Sequence, residues 1–210
     1  TDSDLAYLSK LGAFKEDFIS TLKNFKFTGD VYAMEEGQIA FANEPILQVI
    51  APISQAQLIE SRIINILNYQ IMIASKAARC RLVAKDNLLV DFGMRRAHGS
   101  EAALCAARAN YIAGFSGTAT VLAGEKFDIP LYGTMAHSYI QAHANEEDAF
   151  LAFSKSHPGN VVLLIDTYDV IKGAKKVVRV ADVLAKQNRV VNGVRIDSGD
   201  LGENAAAVRK

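Results

Sequence analysis

Cysteine is scarce in this chain of 210 residues: only Cys80 and Cys105 occur, neither in a CxxC pair nor at metal-ligand spacing from a histidine. A disulfide framework and a cysteine-based zinc site are thereby excluded as organising features, and both residues read as reduced thiols of a cytoplasmic protein. No apolar stretch reaches the roughly 18 residues of a membrane span, and Thr1-Asp2-Ser3-Asp4 offers neither a basic n-region nor an apolar h-region. Charge of neither sign is in excess. Lysine plus arginine and aspartate plus glutamate stand at 23 each, which removes any bulk-charge case for a nucleic-acid or membrane-surface partner. Any anion must therefore be bound by a local site. Internal repeats, low-complexity tracts and linkers are also absent. So is an initiator methionine, and the chain starts on a cap-like Asp2 or Ser3 and stops in a helix predicted over 204–209; the expectation is truncation at both ends.

What is present points to a folded domain: half of the residues are apolar, and the length suffices for one sizeable core. From Phe25 to Pro52, turn signals at Gly29-Asp30, Glu36-Gly37 and Asn43-Glu44-Pro45 separate apolar runs and predict three short antiparallel strands. Ser54 is placed to cap a long helix reaching Arg79, in which Leu58, Ile59, Ile63, Ile66, Leu67, Ile71 and Ile73 recur near a helical period; burial on most of its surface is expected, with polar Asn68 and Gln70 at its middle. Residues 1–86 thus read as a smaller α+β domain. Residues 87–210 read as an α/β domain of parallel strands, because strand candidates at 88–92, 118–122, 131–134, 161–165 and 193–196 alternate with helices such as the one after Ser100-Glu101, closed by Gly114, and the one after Asn145-Glu146-Glu147-Asp148. Five strands fit either an open sheet or an unfinished barrel.

The unusual polar residues gather where these strands end. Arg95 and Arg96 follow the first, Thr118 lies at the second, and Thr134, His137 and Ser138 follow the third. Asp166 and Asp169 follow the fourth, and Asp197, Ser198 and Asp200 follow Arg195 on the fifth. In parallel α/β folds, ligands bind outside the carboxyl ends of the strands, so five strands converge on one mouth. Its contents suit a phosphorylated substrate: arginine forks for phosphate or carboxylate, hydroxyls as further donors, and carboxylates for ribose hydroxyls or a Mg2+ that bridges phosphates. The imidazole of His137 is suited to act as a base or to accept a phosphoryl group. Each residue alone has a plainer reading. Asp-Ser-Gly-Asp is often only a turn, Arg95-Arg96 a solvated pair, His137 a local hydrogen-bonding group, and His98, His143 and His157 surface residues. Coincidence at strand ends selects the functional reading.

The runs Asp91-Phe92-Gly93-Met94-Arg95-Arg96, Gly133-Thr134-Met135-Ala136-His137-Ser138 and Arg195-Ile196-Asp197-Ser198-Gly199-Asp200, with Phe25 to Tyr32, Asn43-Glu44-Pro45 and Lys76-Ala77-Ala78-Arg79, resemble nicotinate phosphoribosyltransferases over nearly the whole chain. The resemblance implies a type II phosphoribosyltransferase fold: an irregular α/β barrel, here incomplete, packed against a smaller α+β domain. It implies an enzyme that joins nicotinate to phosphoribosyl pyrophosphate in pyridine nucleotide (NAD) biosynthesis, coupled to ATP hydrolysis with Mg2+, and a homodimer. By resemblance His137 is the phosphorylated histidine, Ser138 touches substrate, Phe92 stacks on the pyridine ring, and Arg95 contacts phosphate. Arg195 and Asp197 sit near nicotinate and ribose, and Asp166 lines the same mouth. Ala119 and His98 depart from the usual family residues. Relatives that use quinolinate or nicotinamide, and a non-catalytic scaffold, are the rival readings; the Gly-Thr-Met-Ala-His-Ser run argues against quinolinate.

Overall fold

In the computed structural model, which describes all residues from Thr1 to Lys210, the chain divides into two compact units, Thr1–Leu131 and Tyr132–Lys210. The first begins with α1 (Asp2–Leu11). Thr1 caps it through a reciprocal capping box with Asp4, one residue earlier than expected, and Gly12 ends it in the left-handed region at φ 64°. Helix α2 (Glu16–Lys23) packs on α1 and buries Ile19.

Strands β1 (Asp30–Ala33) and β2 (Leu47–Ile50) pair antiparallel, with Asp30 opposite Ile50 and Ala33 opposite Leu47. The third expected strand does not form. Between β1 and β2 the backbone turns at Gly37 (φ 86°) and Asn43 (φ 68°), and the Phe41 amide donates to the Glu44 carboxylate at 2.8 Å rather than to a strand partner.

Helix α3 (Ile53–Ala84) is longer than expected, and Pro52, not Ser54, occupies its N-cap. The burial expected of it is not found. Only Ala77 is buried, while Ile64 and Met72 are 57% and 64% exposed. The physical reason is that α3 packs chiefly on one helix, α4 (Ser100–Ile112), whose Ala103 and Ala107 admit close approach along a single stripe. Tyr69 ties the pair by donating to the Ala102 carbonyl at 3.2 Å. Gln70 faces Arg108 of α4 at 3.4 Å, where that arginine is also paired with Glu36.

Strands β3 (Val90–Asp91) and β4 (Gly117–Thr118) pair parallel and are separated along the chain by a short 3-10 turn (Met94–Arg96) and α4. The strand expected over 118–122 stops at Thr118 because α5 (Val121–Phe127) starts there, and the one expected over 131–134 is reduced to a single parallel bridge between Leu131 and Thr118.

The second unit holds α6 (His137–Gln141), α7 (Glu146–Ser156), β5 (Val162–Leu164), α8 (Val170–Ala185), β6 (Gly193–Arg195) and α9 (Leu201–Arg209). Strands β5 and β6 are parallel, with Leu164 opposite Arg195, so β5, α8 and β6 form one βαβ unit. Its core joins Phe150 and Phe153 of α7 to Leu163, Leu164 and Ile165 and to Val177, Val180 and Leu184 of α8. Each such fully buried side chain contributes about 1.5–3 kcal/mol of hydrophobic stabilisation. Gly173 sets how closely α8 lies on the strand: a Cβ there would meet the Ile165 carbonyl oxygen at 2.2 Å. Of the two polar side chains of α7 sunk in this region, Glu146 is paired with Lys176 of α8 at 2.5 Å, and Ser154 donates to the Leu151 carbonyl at 2.9 Å.

The protein is thus a mixed α/β structure with one antiparallel and two parallel two-stranded sheets, and these strands do not form a closed barrel. No helix is long and apolar enough to cross a membrane.

Candidate active site

The chemistry-bearing residues of the second unit meet because β5 and β6 run parallel. Both strands leave the sheet at the same edge, and the Ile165 amide continues the ladder by donating to the Arg195 carbonyl at 3.1 Å, so Asp166-Thr167 and Asp197-Ser198 emerge side by side. One oxygen of Asp166, Oδ2, accepts from the Asp197 amide at 2.7 Å and from the Ser198 hydroxyl at 2.6 Å. The Asp166 side chain is fully buried. Burial alone would push its carboxyl up, but the Ser198 hydroxyl, the Asp197 amide and the nearby His137 imidazole outweigh it and hold the group below the usual aspartate range. Its second oxygen, Oδ1, is buried without a hydrogen-bond partner and lies 3.9 Å from Nε2 of His137.

His137 is the first residue of α6, following the extended Ala136. Its Nδ1 lies 3.2 Å from the Thr167 hydroxyl, and its Nε2 lies 3.6 Å from Asp197 Oδ2. With 38% of its side chain exposed, the imidazole is both held and accessible. Arg195 closes the group: Nη2 is 2.9 Å from Asp197 Oδ2, and Nη1 donates to the Thr134 hydroxyl at 2.6 Å and to the Met135 carbonyl at 3.3 Å. Thr134, His137, Asp166, Thr167, Arg195, Asp197 and Ser198 therefore form one connected network. It presents an imidazole, two carboxylates and a guanidinium. No three His, Cys, Asp or Glu side chains converge to hold a metal ion. Such a donor set does not make an all-protein cage; it fits a hard cation held by one or two carboxylates and carried in with substrate phosphates.

In the first unit, β3 and β4 build a similar strand-end junction. The buried Asp91 accepts from the Gly93 amide at 3.0 Å through Oδ1 and from the Thr118 hydroxyl at 2.9 Å through Oδ2. Thr118 in turn accepts from the Thr120 amide at 3.0 Å. This junction supports the turn that carries Phe92, 44% exposed, and the exposed Arg95 and Arg96.

Comparison with known proteins identifies the family. A profile described as the nicotinate phosphoribosyltransferase (NAPRTase) N-terminal domain matches residues 1–68, and that of the nicotinate phosphoribosyltransferase (NAPRTase) family matches residues 88–210. The chain belongs to the nicotinate phosphoribosyltransferase family. A nicotinate phosphoribosyltransferase of Mycobacterium tuberculosis is 47% identical over 99% of this chain and 44% of its own length, and that of Bacillus subtilis is 46% identical over 100% and 43%. The chain thus spans less than half the length of these relatives. The crystal structure of human nicotinic acid phosphoribosyltransferase superposes with a TM-score of 0.91 at 28% identity, over 100% of this chain and 52% of that one. That of nicotinate-nucleotide pyrophosphorylase from Pyrococcus furiosus gives 0.77 at 27% identity, over 87% and 47%.

Within this family member the sequence-derived residues separate into groups. Thr134, His137, Asp166, Arg195, Asp197 and Ser198 are joined by direct contacts. Ser138 is exposed beside His137. Asp200 does different work: it caps α9 by accepting from the Glu203 amide at 2.9 Å, as Asp169 caps α8 through the Lys172 amide at 2.8 Å. Phe92, Arg95, Arg96 and Thr118 lie in the first unit. Two residues escaped the sequence reading. Thr167 was available from its place between Asp166 and the next helix cap, and Asp91 from its position at a strand end, two residues ahead of a glycine.

Proposed function

We propose that this chain carries the phosphoryl-accepting part of a nicotinate phosphoribosyltransferase active site. In this reading nicotinate attacks phosphoribosyl pyrophosphate: a bond forms between the pyridine nitrogen and the anomeric carbon, the bond from that carbon to pyrophosphate breaks, and nicotinate mononucleotide and pyrophosphate result. ATP hydrolysis drives the reaction through transient phosphorylation of His137. The observation that carries the reading is the placement of His137, an accessible imidazole gripped on one nitrogen by Thr167 and faced on the other by Asp166 and Asp197.

Arg195, fixed by Thr134 and Asp197, directs charge toward the carboxylate of nicotinate or the phosphates. Asp197, which is partly exposed, is placed for ribose hydroxyls or for a Mg2+ that travels with the phosphates and neutralises charge on leaving pyrophosphate. Asp166 and Ser198 hold the two loops together, while Ser138 lines the approach to His137. Phe92 is assigned to the pyridine face and Arg95 to phosphate, with Arg96 and Thr118 supporting that turn. Most of the catalysis is positioning and electrostatics. The proposal includes an irregular α/β barrel completed by the remainder of the family's length, assembly as a homodimer, and a cytoplasmic setting.

The test is mononucleotide formation by the full-length protein from phosphoribosyl pyrophosphate with nicotinate, nicotinamide or quinolinate supplied separately, with and without ATP. Product from nicotinate, faster with ATP, is expected. His137→Ala is expected to abolish labelling by γ-phosphate of ATP while the fold persists. Normal labelling of that variant, or product from quinolinate alone, would sink the reading.

A further inference from the structure

We infer that Thr167 is a positioning residue which holds Nδ1 of His137, left unprotonated by the carboxylates that face Nε2, as the phosphoryl-accepting atom. The inference rests on the proposed phosphorylation of His137 and deepens it.

The two nitrogens of this imidazole have unlike surroundings. Around Nε2 lie two anions, Asp197 Oδ2 at 3.6 Å and Asp166 Oδ1 at 3.9 Å. Asp166 Oδ1 is buried and has no donor of its own, although Oδ2 of the same carboxylate has two. A buried carboxylate oxygen without a donor is costly, and an N–H on Nε2, 3.9 Å away, is placed to relieve it. A lone pair directed at two carboxylates would be repelled by both. The proton of the neutral ring therefore resides on Nε2, and the lone pair on Nδ1. Nδ1 lies at hydrogen-bond distance from Thr167, whose hydroxyl then acts as donor across 3.2 Å.

Thr167 is held for this task by its neighbours in sequence. Asp166 before it is clamped by Asp197 and Ser198, and Asp169 after it caps α8, so the short loop is tied at both ends. In the phosphorylation step the Nδ1 lone pair forms a bond to the γ-phosphorus of ATP. The bond from that phosphorus to the bridging oxygen breaks, and ADP leaves with the electron pair. The ring gains positive charge, and its Nε2 proton faces Asp166 and Asp197, which stabilise it. The Thr167 hydroxyl, released from Nδ1 by rotation about its Cα–Cβ bond, donates to a phosphoryl oxygen.

The experiment uses full-length protein carrying 15N-histidine, incubated with Mg-ATP. Nitrogen–phosphorus NMR identifies the phosphorylated ring atom, and γ-32P labelling gives the rate. Wild type is expected to carry phosphate on Nδ1. Thr167→Val, close in shape, is expected to label about tenfold more slowly or to divert phosphate to Nε2, since one hydrogen bond to the reacting ring is lost. Thr167→Ser should restore both rate and position, and equal melting temperatures for the three proteins show that the fold is not the cause. Phosphate on Nε2 in wild type, or Thr167→Val with wild-type rate and position, overturns the role of Thr167 while leaving the phosphohistidine reading intact. Absence of His137 labelling in a protein that makes mononucleotide overturns both.

Discussion

Two buried aspartates stand at strand ends in this protein, and they are satisfied differently. Asp91 gives one oxygen to the Gly93 amide and the other to the Thr118 hydroxyl, so both are occupied. Asp166 places both donors, the Asp197 amide and the Ser198 hydroxyl, on a single oxygen and keeps the other bare beside His137. Both carboxylates join neighbouring strand-end loops, which is a structural service. Only Asp166 withholds an acceptor from the structure, at an energetic cost that binding to an imidazolium or phosphoimidazolium would repay. A bare buried oxygen facing an imidazole distinguishes the Asp166 junction from the Asp91 one.

Substituting asparagine at both positions should divide the two roles most sharply. Asp166→Asn puts an amide donor or a neutral oxygen where the anion faced Nε2, which disturbs both tautomer and charge. His137 labelling is expected to fall by about a hundredfold or more, in line with the loss of a histidine-orienting carboxylate elsewhere. Asp91→Asn retains an acceptor for Gly93, and Thr118 can reverse its hydroxyl. A stability loss of about 1 kcal/mol, with labelling unchanged, is the expected outcome. Thermal unfolding and γ-32P labelling of both full-length variants check this; equal labelling losses would abolish the distinction.

That distinction was only half legible in the sequence. Parallel strands alternating with helices, and the gathering of polar residues at strand ends, could be read from period and spacing, and β5, β6, α4, α7 and α9 lie close to where they were expected. The runs Asp166-Thr167-Tyr168-Asp169 and Asp197-Ser198-Gly199-Asp200 show why residue roles could not. Each holds two aspartates three apart, yet the first enters the network and the second caps a helix. Both tasks favour the same residue type after a strand, and only the start of helical backbone separates them. Thr167 was hidden because its role lies in a contact with His137 thirty residues away. Helix α3 misled for another reason: apolar periodicity reports a face suited to burial, whereas here α4 covers only one stripe of it.

The clamp on Asp166 gives the comparison a pH dependence. A carboxyl held below its unfolded value of about 3.9 contributes stability that is fully present above that pH and is lost as pH falls through the lower folded value. Removing the Ser198 hydroxyl takes away the leading cause of the depression. In Ser198→Ala the folded value should therefore rise, so that acid destabilisation has less to remove, and stability near neutrality should drop by about 1 kcal/mol, discounted for the exposure of Ser198. Melting temperatures between pH 2 and pH 6 test this. Asp166→Asn should remove this contribution to the acid limb altogether, and a limb of wild-type shape in both variants would contradict the clamp.

The smallest expected effects belong to the two capping aspartates. Asp169→Ala and Asp200→Ala each remove one carboxylate that accepts from a helix's third amide, and each should cost about 1 kcal/mol, with Asp200→Asn or Asp169→Asn recovering most of it. The two should nonetheless differ in one respect. Asp169 anchors the far end of the loop that holds Thr167, so its loss should also slow phosphorylation of His137. Asp200 follows Asp197-Ser198, whose clamp on Asp166 does not run through the α9 cap, so its loss should leave labelling unchanged. Paired melting and labelling of the two alanine variants decides this. Slower labelling in Asp200→Ala alone would shift the weight of the site from the β5 loop to the β6 loop, and would place Asp200 in the binding network after all.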